Sequence, residues 1–160
     1  MINLLYFKSI NIDIHQNEVV QFRKDSFAVS FGDVSGFGDE KQYLYWLEEK
    51  IKEYPEGFVM VEQDNKLIGQ LELSIKKYEG KNIGYVNLYY LVPECRGKGI
   101  GKELHRYALK FFEIYNINEF HLRVSSTNTF ALKFYQKLGM EEIGPELDGK
   151  VLRMKGVLNE

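Results

Sequence analysis

A chain of 160 residues with 44% hydrophobic side chains is long enough to fold as one domain over residues 1–160 with a sizeable core. Its formal net charge of −2, without a long basic run, argues against nucleic acid as the main partner. One cysteine excludes an internal disulfide, no Cys/His cluster suggests a metal, and no apolar run is long enough for a bilayer. Residues 1–5 lack both a basic start and a small-residue cleavage site, so a cytoplasmic protein is expected.

In chain order, residues 4–10 read as a short strand and residues 17–23 as a helix, while residues 26–32 are ambiguous between the two. Residues 33–38 are a glycine-rich loop. Asp39 then starts a helix to Tyr54, with Tyr43, Leu44, Leu47 and Ile51 as its apolar stripe, Trp46 nearby and Pro55 as its stop. Residues 58–63 and 67–75, joined at Asp64-Asn65, form an antiparallel hairpin, and residues 76–81 read as a charged turn. Residues 83–92 are the central strand. Residues 101–115 are a helix that turns Leu104, Ala108, Phe111 and Tyr115 inward. Residues 120–124 alternate as a strand, residues 128–139 carry a capped helix, and residues 140–143 and 151–157 close the sheet.

The central strand stops at Pro93, and Arg96-Gly97-Lys98-Gly99-Ile100-Gly101-Lys102 follows at the start of a helix. First-turn backbone N–H groups have no partner within a helix, and the macrodipole places partial positive charge on them. Glycine lets a bulky anion approach, and Arg96 and Lys98 add full charges. This is a grip for a phosphorylated cofactor; the alternative is a structural turn. It is not a Walker A loop: Arg96 stands where the first glycine would be, and Glu103 follows Lys102 where Ser or Thr is needed. Nor is it a dinucleotide fingerprint, because Lys102 occupies the position of the last glycine.

Arg96, Gly99 and Gly101 do match R-x-x-G-x-G. Downstream, Asn128, Ala131, Phe134, Tyr135, Leu138, Gly139 and Met140 spell N-x-x-A-x-x-F-Y-x-x-L-G-[FM]. With a strand between them, the two patterns resemble the acetyl-CoA site of the GNAT N-acetyltransferase superfamily over roughly residues 58 to the C-terminus. The N-terminal third matches in general layout only. The resemblance implies an α+β fold with a mixed, largely antiparallel sheet of six to seven strands flanked by helices. It implies acetyl-CoA as cofactor and direct transfer of acetyl to a primary amine of a small molecule or peptide. The protein would be a monomer or homodimer without a membrane partner. A non-catalytic acyl-CoA-binding sensor or regulator fits the same cofactor motifs.

The resemblance also implies that the central strand and the strand at residues 120–124 splay apart around the pantetheine. Main-chain groups of Leu91 and Val92 would hold it, and Arg96, Gly97, Lys98, Gly99, Ile100, Gly101 and Lys102 would hold the pyrophosphate. Asn128 would cap its helix, bind the cofactor or do both. Tyr135 is the candidate general acid, since a phenol carries its proton at neutral pH; the alternative is a packing tyrosine. No acidic residue stands at Val86, Asn87, Leu88 or Tyr89, so the base falls to Glu72 or to water relayed through Tyr89. If Leu71 and Leu73 face the core, Glu72 faces the cleft or solvent. The acceptor pocket is expected from residues 31–46 and the strand face of Glu72 and Tyr89. His15, His105 and His121 read as surface residues, and Cys95 as structural, there being no adjacent His to activate it.

Overall fold

A computed structural model describes residues 4–158; residues 1–3, part of the segment read for an export signal, lie outside them. The described elements are β1 (Tyr6–Ser9), α1 (Ile12–Phe31), α2 (Glu40–Glu53), β2 (Phe58–Gln63), β3 (Lys66–Tyr78), β4 (Lys81–Leu91), α3 (Ile100–Ile114), β5 (Glu119–Ser125), α4 (Thr129–Lys137), β6 (Glu141–Glu146) and β7 (Val151–Val157). They build a seven-stranded sheet in the order β1-β2-β3-β4-β5-β7-β6. Every neighbouring pair is antiparallel except β4–β5. The mixed α+β architecture is the one expected.

Both faces of the middle strands are covered. Phe58, Val59, Met60 and Val61 of β2 are buried in succession, as are residues 68–74 of β3. A strand covered on both faces loses the apolar-polar alternation of a half-exposed one. Helices α1 and α2 lie on one face, where Arg23 and Tyr43 reach Glu72. On the other face α3 puts His105 against Tyr89 and packs Phe112 onto Gly84, where an added Cβ would come within 2.5 Å of the ring.

Several boundaries differ from the sequence reading. Helix α1 runs for 20 residues from an Asn11 cap, whose side chain accepts the Asp13 N–H, to a left-handed Gly32. Its apolar residues are spread around the helix and only Val19 and Val20 are buried, so no 3.6-residue stripe announces it. The charged stretch at residues 76–81 is mostly strand: β3 reaches Tyr78, and Glu79-Gly80, both at positive φ, make the two-residue turn. Asp64-Asn65 is the other such turn, as expected. Tyr115 is 42% exposed, not inward, because α3 ends at Ile114 and the chain turns away. Strand β6 continues past Ile143 through Pro145, which the sheet edge tolerates because no neighbour needs a donor on that side.

Candidate active site at the splayed strands

The parallel ladder between β4 and β5 holds three pairs and ends at Val86–Leu122. Beyond it both strands continue unpaired with each other, β4 to Leu91 and β5 to Ser125. A bulge marks the parting. Leu88 pairs with Glu72 and Val86 with Leu73, so Asn87 is the extra residue. An extra residue bends its strand. The Asn87 amide holds the bend by donating to Ser74 Oγ at 3.0 Å.

The hydrogen-bond alternation of β4 decides which main-chain groups face the gap. Val92 N–H donates to Ile68 O at 2.8 Å, so that amide is spent on β3. In an antiparallel ladder alternate residues point their N–H and C=O away from the partner. Leu91 and Tyr89 are therefore the residues whose main chain faces the gap. The Leu91 carbonyl is met by Arg96 Nε at 2.8 Å, which leaves its N–H open. The sequence treats Leu91 and Val92 as a pair; the ladder separates them.

A single 3-10 turn (Pro93–Cys95) leads into the glycine loop. Gly97 and Gly99 have φ of 73° and 85°, in the left-handed region where other residues are strained, and nothing lies within 4 Å of where their Cβ atoms would be. Gly99 offers α3 no side-chain cap, so the first N–H groups of the helix, Ile100, Gly101 and Lys102 among them, are open. Lys98 and Lys102 are exposed and form no ion pair among the described residues. Open amides, room at two glycines and two free cations fit a pyrophosphate. Gly101 serves a different purpose: an added Cβ would lie 3.0 Å from the Phe134 ring, so this glycine seats α4 against α3. Arg96 does not point into the loop. Its guanidinium binds Asp25 of α1 at 2.9 Å, and Asp25 also accepts the Tyr90 hydroxyl at 2.5 Å. Cys95 is half-buried against the core.

Helix α4 starts as read, with Asn128 Oδ1 accepting the Ala131 N–H at 3.2 Å, and ends before a left-handed Gly139. It carries Tyr135 beside Tyr89, ring centroids 6.2 Å apart. The Tyr135 hydroxyl has no hydrogen bond among the described residues, and burial pushes its phenol up to about 12. Tyr89 is pushed up as well, by burial and then by Tyr135, and its hydroxyl meets His105 Nδ1 at 3.1 Å. Burial lowers His105, which is a neutral core residue and not the surface histidine expected. His121 is wholly buried too, between Glu119 and Arg153, against the same expectation.

Glu72 and Tyr89, grouped together in the sequence reading, lie on opposite faces of the sheet. Leu71 pairs with Tyr89, and Glu72, the next residue of β3, points to α1 and α2. Its carboxylate is wholly buried and binds three donors: the Arg23 guanidinium, the Tyr43 hydroxyl at 2.6 Å and Gln70 Nε2 at 2.8 Å. Burial and then the Glu72 charge push the Tyr43 phenol well up, so its hydroxyl donates. Gln70 Oε1 is buried without a partner among the described residues. Above this network a concavity of about 350 Å³ opens between α1 and α2, lined by Arg23, Phe27, Phe37, Gln42, Tyr43 and Trp46. Another, of about 450 Å³, lies at the β1–α1 corner against α2, at the far side of the sheet from the gap. Sequence reasoning missed Arg23, Gln70, Asp25 and Tyr90. The one usable signal was Gln70, Glu72 and Ser74 at alternate positions between leucines, a polar face inside a strand.

The model of the acetyltransferase (GNAT) family matches residues 18–140, reaching further upstream than the two motifs. An N-alpha-acetyltransferase of Sulfurisphaera tokodaii is 31% identical over 71% of this chain and 70% of its own length. An uncharacterized N-acetyltransferase of Archaeoglobus fulgidus is 31% identical over 61% of this chain and 66% of its own. Among solved structures, the PaiA N-acetyltransferase of Thermoplasma acidophilum in complex with coenzyme A superimposes with a TM-score of 0.72 at 22% identity, over 96% of this chain and 99% of that one. The spermidine N-acetyltransferase of Vibrio cholerae with CoA and spermine gives 0.72 at 20%, over 96% and 95%. At these identities the structural likeness speaks for the fold.

Proposed function

The chain belongs to the acetyltransferase (GNAT) family, whose cofactor is acetyl-CoA, and from that premise we propose that it acts as a single N-acetyltransferase domain that acetylates a primary amine of a small molecule or peptide by direct attack. The observation that carries this reading is the parting of β4 from β5 directly before the uncapped, two-glycine start of α3. When bound, acetyl-CoA supplies an acetyl thioester that an amine can attack. The chain's own groups divide the remaining work. Amides of Gly97, Lys98, Gly99, Ile100, Gly101 and Lys102, with the Lys98 and Lys102 charges, hold the pyrophosphate. The Leu91 N–H faces the gap and is the donor we assign to the developing oxyanion. Asn128 serves first as the cap of α4, and Arg96 acts from behind, fixing the Leu91 carbonyl and tying the loop to Asp25.

Tyr135 is the general acid of the proposal. A phenol held up near 12 keeps its proton at every ordinary pH, and its hydroxyl has no competing bond among the described residues. Glu72 is not assigned as the base. Three donors already occupy its carboxylate, and it works as the floor of the acceptor concavity, fixing Arg23 and Tyr43. Tyr89 is a poor relay for the same kind of reason, being buried and committed to His105. The amine's proton leaves to water through the open side of the concavity. Release of free thiol from acetyl-CoA, followed against a panel of primary amines, tests the reading. Amine-dependent release is expected, and tight CoA binding with no release for any amine would contradict it.

A further inference from the structure

The face of the sheet that carries Glu72 also carries a set of cations whose charges are not balanced. Arg123 follows Leu122, the last β5 residue paired with β4, and so stands at the entrance of the gap. It shares a side with His121 and Tyr85, because successive residues of a strand alternate and Tyr85 pairs with His121. Arg123 and Arg153 divide a single carboxylate between them, Glu146, at 2.8 and 2.7 Å. Arg123 uses only its Nε for this contact, which leaves the two terminal nitrogens of an exposed guanidinium. Lys76 places its Nζ 4.0 Å above the Tyr85 ring and has no carboxylate partner among the described residues. The charges that bear most on Lys76 are positive: Arg123, Lys50, Arg153 and Arg23. Beyond its ion pairs, the group of Lys76, Arg123 and Arg153 carries two surplus positive charges against Glu146.

Like charges gathered without counter-charges repel one another and are favoured only when an anion joins them. The Lys76 side chain is exposed, but its ammonium loses part of its hydration over the Tyr85 ring, so an incoming anion meets a charge less well solvated than that of a free lysine. We propose that Lys76, over the Tyr85 ring, and Arg123, beside Arg153, form an anion subsite of the acceptor site, taking the carboxylate or phosphate of an amine that enters the gap beside Leu122. The inference rests on the acetyltransferase reading for its choice of occupant. Arg123 borders the opening, and Lys76 approaches the same face from β3 across Tyr85, one residue before the last β4–β5 pair. An acceptor with an acidic group near its amine meets these requirements; a plain polyamine does not.

The test is binding of matched peptides to the CoA-saturated protein by calorimetry, without need of turnover. The probes are alanylglutamate amide, alanylglutamine amide and alanylphosphoserine amide. Both acidic peptides should bind about tenfold tighter than the glutamine peptide at low salt, with the advantage shrinking as salt rises. The advantage should disappear in Lys76→Met, an exposed position where the melting temperature verifies folding. A preference for only one acidic peptide assigns the subsite to carboxylate or to phosphate. Equal binding of all three, no binding of any, or an acidic advantage that survives in Lys76→Met overturns the inference. Thiol release is followed separately, so a protein that binds the acidic peptides without acetylating them keeps this subsite and loses the catalytic assignment.

Discussion

The two sides of the β4–β5 gap are built by different means. On the side proposed for the cofactor the available groups are main-chain amides within a few consecutive residues, Leu91 and then residues 97–102, offered by a strand end, two left-handed glycines and a helix start. On the side proposed for the acceptor they are side chains from distant parts of the chain: Arg23, Tyr43 and Gln70 converge on Glu72, Arg23 across 49 residues and Tyr43 across 29. A main-chain site needs little more than local conformation. A side-chain site requires the folded core to bring its members together. Damage should therefore separate the two: changes in the loop should remove ligand binding and spare the fold, while changes under the acceptor concavity should weaken the fold first.

The largest effect is expected at Gly99. Gly99→Val puts a β-branched residue at φ 85° and fills the open space of the loop, so CoA binding should be lost while circular dichroism stays native. Unchanged CoA affinity in a folded variant would make the loop a mere turn and erase the contrast. Next comes Glu72→Gln, which leaves the Arg23 guanidinium buried without its counter-charge. About 3–5 kcal/mol of stability should be lost in denaturant unfolding, since one partner of a buried ion pair is removed. A loss confined to acceptor KM, with stability intact, would mean that Glu72 faces substrate and does not hold the core.

Tyr135→Phe should lower single-turnover acetyl transfer by about 10²-fold, or ~2.7 kcal/mol, with CoA affinity little changed. With the wild-type phenol near 12, its rate should also stay level through an alkaline range in which an ordinary tyrosine would already be losing its proton. Equal single-turnover rates in the two proteins would hand the proton transfer to water.

The smallest effect concerns pH and the two buried histidines. Burial lowers both His105 and His121 from 6.5, so the unfolded chain binds protons in acid that the folded chain refuses. Stability should be at full strength above that value and decline as pH falls below it. Urea midpoints measured on both sides of 6.5 check this, and a midpoint that rises on acidification would reverse the sign.

The same division governs how much could be read before folding. The loop, the Asn128 cap and the Gly139 stop were legible because each is a local pattern with a local cause, whereas the parting of the strands followed only from the family resemblance. Helix α1 was only partly legible, since its apolar residues form no stripe, and Lys76-Lys77 disguised strand as turn. The histidines were misplaced because a polar ring counts as surface until a buried partner is known, and those partners, Tyr89 for His105 and Arg153 for His121, come from other elements of the fold. Glu72 was picked out from alternation, but its occupation by three donors depends on two helices whose approach no local pattern specifies.

The most direct test of the division is amide hydrogen exchange with and without CoA. Exchange slows where a ligand occupies or closes off an amide. The account predicts new protection at Leu91 and across residues 97–102, with little change at Gln70, Glu72, Arg23 or Tyr43. Protection that falls on α1, α2 and β3 while the glycine loop exchanges as before would place CoA on the wrong side of the gap and contradict the account.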